Sequence, residues 1–193
     1  MQRMDNAPYS FLMEAKPKDF EKLKAFKYRT LNGRDLIFIL HALKKMYRSS
    51  NSLEEYFLKG MVGQTEELGA GIHFFRNEML KVSHEKRSEK HISTPVRNSA
   101  CKKICMFLRW MVRKDAEGVD FGLWTKISPS ALCLPLDVHA GATARKIGLL
   151  KRKQNDWKAV LEITEALRDF DDKDPVRFDY ALFGMGIRKS QTQ

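Results

Sequence analysis

Apolar residues recur along most of this chain with the three- and four-residue spacing of an amphipathic helix, and no run alternates apolar and polar side chains as a half-buried strand does. The clearest run follows Asn32-Gly33, where Leu36, Leu40 and Leu43 would share one helix face. The same spacing predicts further helices over residues 52–58, 65–79, 99–113, 138–147, 156–170 and 176–183. We therefore predict an all-α fold.

Local signals set the expected ends of two of these helices. Asp137 is placed to cap the helix over 138–147, and Gly148 is placed to end it. Asn98 or Ser99 can cap the long helix that precedes it. Both predicted helix starts therefore carry polar side chains.

The chain is expected to form a single helical domain over residues 1–193. Its length and 43% hydrophobic content are enough to bury a core. Residues 1–80 would form an N-terminal helical part and residues 99–187 a second one. A polar, basic stretch at 81–98 would separate them as a loop.

The net charge of +11 is concentrated in two stretches. Residues 81–114 hold ten basic and two acidic side chains, and residues 145–158 hold six and one. If the two stretches lie on one face, they would match the phosphate backbone of nucleic acid, although solvated helix faces have the same composition. Double-stranded DNA is the expected partner, and no oligomeric state is predicted.

Cysteine usage and hydropathy point to the cytoplasm. No uncharged apolar run approaches the roughly 20 residues that span a bilayer, so no membrane association is expected, and no signal-peptide core follows the polar start. Cys101, Cys105 and Cys133 are expected to be reduced and to serve packing. A zinc site built from them and His139 is not expected because the sequence has no C-x-x-C pair, and we predict no metal.

One segment carries a recognisable motif. The sequence PLDVH at 135–139, followed by ARKIGL at 144–149, resembles the signature of the helix-hairpin-helix DNA glycosylase superfamily. The stretch over 98–149 is more closely similar to an uncharacterised bacterial family, the domain-of-unknown-function family numbered 2400, which is distantly related to those glycosylases. That similarity extends from the N-terminus to about Ile187. By this resemblance the first helices of the family are expected to be missing from the chain, either because its start is truncated or because the start of the similarity is misplaced.

The resemblance to the glycosylases implies a helix-hairpin-helix glycosylase-like bundle that acts in DNA repair, as a base-excision glycosylase and abasic-site lyase. It places Asp137 at the mouth of a base pocket, and Lys102 or Lys103 as the amine that forms a Schiff base, with Lys102 preferred. Trp124 is expected in the pocket wall. The expected contacts to DNA are Arg97, Asn98, Ser99, Arg109, Arg113, His139, Arg145 and Lys146.

We also predict that no cofactor is bound. The iron–sulfur loop of the superfamily needs four closely spaced C-terminal cysteines, and none follows Cys133. An iron–sulfur cluster is therefore not expected.

Other functions stay open because the motif departs from the superfamily pattern. Residues 98–100 lack the glycines with which the superfamily hairpin exposes backbone N–H groups to a phosphate. Asp137 is also an ordinary helix cap, and Lys102 and Lys103 could be ordinary solvated lysines. The alternatives are a noncatalytic nucleic-acid-binding helical module and a protein-interaction domain.

Overall fold

A computed structural model describes residues 6–50, 52–61, 66–116 and 118–190 of the chain. Most of this backbone is helical, and one antiparallel pair of two-residue strands, β1 (Lys27–Tyr28) and β2 (Leu31–Asn32), lies among the described residues. The α-helices described are α1 (Pro8–Glu14), α2 (Pro17–Glu21), α3 (Gly33–Ser49), α4 (Glu54–Gly60), α5 (Glu66–Leu80), α6 (Lys102–Val112), α7 (Val138–Lys146), α8 (Trp157–Arg168) and α9 (Asp179–Ser190). The all-α prediction is confirmed.

The predicted helices are present, with some ends displaced. Helix α6 begins at Lys102 and not near residue 99, and Cys101 occupies the cap position expected for Asn98 or Ser99. The helix predicted over 176–183 begins as a 3-10 turn and continues as α9 to Ser190. Thr65, the predicted start of α5, lies outside the described residues.

The contacts within the chain divide it into two compact units. One unit comprises Met1–Glu55 and Phe75–Ile92, and the other comprises Tyr56–Phe74 and Ser93–Gln193. Helix α5 therefore contributes residues to both units, which is why the boundary differs from the one expected near residue 80. That the chain folds as one domain stays a prediction.

A buried carboxylate fixes the start of α3 in the first unit. Asn32 Oδ1 accepts the Asp35 N–H at 2.9 Å, and Asp35 Oδ2 accepts the Asn32 N–H at 3.0 Å, which is a reciprocal helix cap. Asp35 has no exposed side-chain surface, and it also accepts hydrogen bonds from Arg87 at 2.9 Å and Ser88 at 2.6 Å and contacts His91 Nε2 at 3.1 Å. The start of α3 is thereby tied to the 3-10 turn over Lys86–His91. The apolar core cluster of this unit contains Leu12, Ala15, Phe20, Leu23 and Leu40.

Helix α8 organises the second unit. Asp156 caps the helix by accepting the Ala159 N–H at 3.1 Å, and Val160 and Ile163 are fully buried on its inner face. Thr164 accepts the Leu134 N–H at 3.0 Å, which holds the extended segment before α7 against α8. The other fully buried apolar side chains of this unit include Leu108, Leu132, Leu136 and Val176.

The glycines of α5 permit close packing within the second unit. A Cβ at Gly71 would lie 2.8 Å from the Phe57 carbonyl oxygen of α4, and a Cβ at Gly69 would lie 3.1 Å from the Trp157 ring. A larger side chain at either position would therefore push its neighbour away.

None of the helices in the described part of the chain is long and apolar enough to cross a membrane.

Candidate active site

A short turn with two left-handed residues leads into α6. Thr94 caps the 3-10 turn over Pro95–Arg97, Asn98 follows at a φ of 54°, and Cys101 has a φ of 49°. Left-handed backbone is uncommon for residues other than glycine, and Asn is among those that tolerate it best. The turn contains no glycine, and it leaves Lys102 as the first residue of α6.

Asp137 occupies the cap of α7, as the sequence predicts. Its Oδ1 accepts the Ala140 N–H at 2.7 Å, which satisfies one of the free amide groups at the start of the helix. The segment before it is buried through Leu136, and Asn155 donates to the Asp137 carbonyl oxygen at 3.0 Å. The position of the carboxylate is therefore fixed from both sides.

The structure brings the predicted amine and carboxylate together. Lys102 Nζ lies 3.1 Å from Asp137 Oδ2, and the Lys102 side chain is 46% exposed while that of Asp137 is 12% exposed. Lys103 is exposed on the next position of α6, and no hydrogen bond from it to Asp137 is present among the described side chains. Of the two predicted lysines, Lys102 is the partner of Asp137.

The environment of Asp137 favours its ionised form. Partial burial by itself would raise the pKa of Asp137, but the hydrogen bonds from the Ala140 N–H and the Lys102 ammonium outweigh it and hold the pKa below its ordinary value. Asp137 is therefore an anion at neutral pH, and its second oxygen is directed at a solvent-accessible amine.

Asp179, which the sequence analysis did not single out, is a second carboxylate in electrostatic contact with this pair. Burial raises the pKa of Asp179, the charge of Asp137 adds to the rise, and the charges of Arg109 and Lys102 oppose it. Asp179 begins α9 and lies 70 residues from its hydrogen-bond partner Arg109. Nothing in the local sequence pattern marks such a long-range pair.

Arg109, one of the predicted DNA contacts, lies in the interior of the second unit. The residue is 1% exposed, and its guanidinium is bound to Asp120, Asp179 and Tyr180. In this structure the Arg109 guanidinium is enclosed and already paired with carboxylates. It therefore stabilises the interior of the unit. Arg113 is also largely committed, because its side chain is 12% exposed and is paired with Asp120 and Asp174.

The predicted contacts in the turn, Asn98 and Ser99, face an acidic residue. Asn98 donates to Asp156 at 2.9 Å, and Ser99 forms an isolated backbone bridge with Asp156. The hydrogen bond from Arg152 is the largest cause that holds the pKa of Asp156 below its ordinary value. A DNA phosphate that approached this turn would therefore meet a carboxylate as well as amide groups.

The remaining predicted DNA contacts differ in exposure and in the hydrogen bonds that they make within the protein. Arg97, His139 and Lys146 are exposed, whereas Arg145 donates to the Arg152 carbonyl oxygen at 2.7 Å and to Asn155 at 2.6 Å. A cavity of about 270 Å³ lies along α7, and its lining includes His139, Lys146 and Met185 of α9. The exposed side chains of Lys146 and His139 therefore border this cavity, and His139 is two residues beyond Asp137.

Trp124 lies in the packed interior. It is 6% exposed, and its ring centre is 5.7 Å from that of Phe57 and 5.4 Å from that of Phe107. The ring contributes to the core in this structure, and its role in a base pocket stays a prediction.

The three cysteines are buried as free thiols, and burial raises the pKa of each. For Cys133 the pKa rises to about 12. Within the described residues, no group of three or more His, Cys, Asp or Glu side chains is arranged to hold a metal ion.

The fold and the site together define a helical protein in which two helix starts bring an amine and a carboxylate into contact. The chain belongs to the family described as protein of unknown function (DUF2400), whose model matches residues 1–188. The comparison with curated proteins and the comparison with solved structures each find no match.

Proposed function

We propose that this protein binds double-stranded DNA and acts in base-excision repair, as a DNA glycosylase with abasic-site lyase activity. The observation that carries the proposal is the 3.1 Å contact between Lys102 and Asp137, which are 35 residues apart in sequence. The resemblance of the segment to the helix-hairpin-helix glycosylases supplies the reaction class. The proposal includes the predicted cytoplasmic location and a helix-hairpin-helix role for the turn and α6.

In the proposed reaction, the Lys102 ammonium first gives up a proton to solvent, and the neutral amine then attacks the anomeric carbon of the target nucleotide. The glycosidic bond breaks as the new C–N bond forms, and the base leaves with the bonding electron pair and takes up a proton. Ring opening then gives an imine between Lys102 and the sugar. Loss of a C2′ proton to solvent and cleavage of the C3′–O bond then release the 3′ phosphate and nick the strand. Asp137, held ionised by its hydrogen bonds, would stabilise the positive charge that develops on the sugar.

Exposed cations before, on and at the end of the two helices α6 and α7 support the DNA contact. Arg97, Lys103 and Lys146 are exposed, and all three belong to the basic stretches at 81–114 and 145–158. An extruded base needs an enclosed site beside the sugar, and the cavity that His139 lines could receive it.

Borohydride trapping on DNA with one abasic site tests the proposal. Borohydride reduces an imine to a stable amine, so the parent protein is expected to give a covalent protein–DNA band. Lys102→Ala is expected to lose this band, because the variant lacks the amine that contacts Asp137. Lys103→Ala removes the neighbouring exposed lysine and serves as the matched control, which is expected to cross-link like the parent.

The opposite results would reject the lysine chemistry. If Lys102→Ala cross-links as well as the parent, the amine is not the nucleophile. If the parent binds duplex DNA but gives no trapped band and cleaves no damaged duplex, the noncatalytic nucleic-acid-binding module is the better description.

A further inference from the structure

The second unit contains a cavity of about 620 Å³ at the C-terminal end of α8. It is formed within this unit by the end of α4, the segment around residues 126–131, and residues 168–173. Cavities of this size are typical of sites for small organic ligands. The proposed repair reaction does not use it.

The charged side chains around this cavity are mainly cations. Lys126, Arg168 and Lys173 line it, and Asp172 is the acidic residue among them. The lining therefore favours an anion over a cation.

One nitrogen of Arg168 is buried without a hydrogen-bond partner. Its Nη2 is enclosed and finds no acceptor among the described residues, while Nε contacts the exposed Glu165 side chain at 3.3 Å. A buried N–H group without an acceptor is costly, and a charged one more so. The Arg168 side chain as a whole is 17% exposed and lines the cavity, so an oxyanion bound there can contact the exposed part of this cationic side chain.

The rest of the lining suits a phosphate group attached to an organic group. The Ser128 and Ser130 hydroxyls form a hydrogen bond with each other at 2.7 Å at the cavity, and the hydroxyl that accepts this bond can donate its own proton to a phosphate oxygen. Leu58 and Met61 form an apolar part of the wall. A phosphate ion alone would leave this apolar part uncovered, whereas a nucleotide would cover it with its base.

We propose that this cavity binds the phosphate group of an organic phosphate, with Arg168 and Lys173 as its cationic ligands. The phosphate belongs either to a free nucleotide or to a nucleic-acid strand, since both present the same group.

The site is separate from the Lys102 and Asp137 pair. Asp156, which contacts the turn before α6, caps the start of α8, and Arg168 is the last residue of that helix. Twelve residues of helix correspond to about 18 Å at 1.5 Å per residue. The phosphate site can therefore be correct whether or not the proposed repair activity is found.

Isothermal titration calorimetry of the full chain at low salt tests the proposal with four probes. AMP is expected to bind, inorganic phosphate is expected to bind more weakly, and adenosine is expected to give no measurable binding. A single-stranded oligonucleotide without terminal phosphates distinguishes the sources. If it binds through Arg168 and AMP does not, the strand backbone is the source of the phosphate.

Arg168→Gln and Lys173→Gln are each expected to lower the affinity for the bound probe about tenfold or more, because each removes a charge-assisted contact. Lys173 is exposed, so its replacement tests the site even if the Arg168 variant folds poorly. Lys45→Gln, an equal charge change at an exposed residue of α3, is expected to leave the affinity unchanged.

Three results would overturn the proposal. The first is no binding of AMP, inorganic phosphate or the oligonucleotide. The second is adenosine binding as tightly as AMP, and the third is parent-like affinity in both the Arg168 and the Lys173 variants.

Discussion

Two basic residues of α6 have opposite environments in the structure. Lys102 is half-exposed and bound to one carboxylate, whereas Arg109 is enclosed and bound to Asp120 and Asp179. A guanidinium presents several donors in a fixed plane, so it can bind two carboxylates at once in a buried place. Burial and partners therefore decide which of two similar charges is available to a ligand.

At the scale of single residues, the buried carboxyl group of Asp35 gives a prediction about the pH dependence of stability. Burial alone would raise the pKa of Asp35, but the Ser88 hydroxyl, the Asn32 N–H, Arg87 and His91 together lower it to about 2. A carboxyl whose pKa is lower in the folded state stabilises the fold above its unfolded pKa of about 4. That stabilisation is lost as the pH falls through the folded value, so we expect Asp35 to contribute to acid unfolding between about pH 4 and pH 2.

Asp35→Asn is expected to lower the free energy of unfolding at pH 7 by about 3 kcal/mol, because it leaves Arg87 and Ser88 without their buried anion. The variant should also lose part of the stability change between pH 4 and pH 2. Urea unfolding followed by circular dichroism at several pH values measures both effects. Glu14→Gln removes an exposed carboxylate of the same unit and is expected to change little. A variant of Asp35 as stable as the parent at pH 7 would show that this cap contributes nothing.

At the scale of the secondary-structure elements, the start of α7 combines a structural and a proposed chemical role in one side chain. Asp137 caps the helix through Ala140 and contacts Lys102 with its other oxygen. The two roles can be separated because serine also caps helices well but carries no charge.

Asp137→Ser is expected to unfold at nearly the same denaturant concentration as the parent, while Asp137→Ala is expected to lose about 1 kcal/mol through the missing cap. Both variants lose the contact to Lys102, so the difference in stability between them isolates the cap. Both are expected to lose borohydride trapping on duplexes that still carry a damaged base, because neither has a charged group to stabilise the cation that develops on the sugar as that base leaves. Trapping at the parent level by the stable Ser variant would reject a chemical role for Asp137.

The helical pattern predicted most of the elements from α3 onward, and it predicted the capping role of Asp137. It did not predict β1 and β2, which have only two residues each. Glycine is a poor helix former, but a Cβ at Gly71 of α5 would lie too close to the Phe57 carbonyl oxygen for a larger residue to fit. Such packing depends on residues distant in sequence, and a local pattern does not contain it.

The candidate site was predictable only in part for the same reason. The resemblance implied Lys102 or Lys103, with Lys102 preferred, and in the structure Lys102 is the lysine that contacts Asp137. The burial of Arg109 and the presence of Asp179 near the pair arise from partners 11 and 70 residues away. Charge counts along the chain treat paired and unpaired residues alike.

At the scale of the whole molecule, the net charge of +11 overstates what is available to a polyanion. Arg109, Arg113 and Arg145 are committed to partners, whereas Lys146 is exposed in the last turn of α7. The affinity for DNA and its dependence on salt should therefore follow the exposed cations.

Lys146→Gln is expected to weaken binding to duplex DNA and to reduce the slope of log K against log salt by about 1, because one phosphate contact is lost. Fluorescence anisotropy with a labelled duplex at several salt concentrations measures the slope. Lys45→Gln makes the same charge change on α3 and is expected to leave the slope unchanged. Equal slopes for the parent and both variants would place the DNA contact elsewhere.

The buried thiols give the molecule an internal reporter of its own opening. Alkylating reagents react with the thiolate form of cysteine. Cys101, Cys105 and Cys133 are enclosed, and burial also raises the pKa of each thiol, which keeps it protonated. The rate of alkylation at neutral pH then measures how often each region opens to solvent. Cys101 immediately precedes Lys102, so its protection reports on the rigidity of the segment that presents the amine.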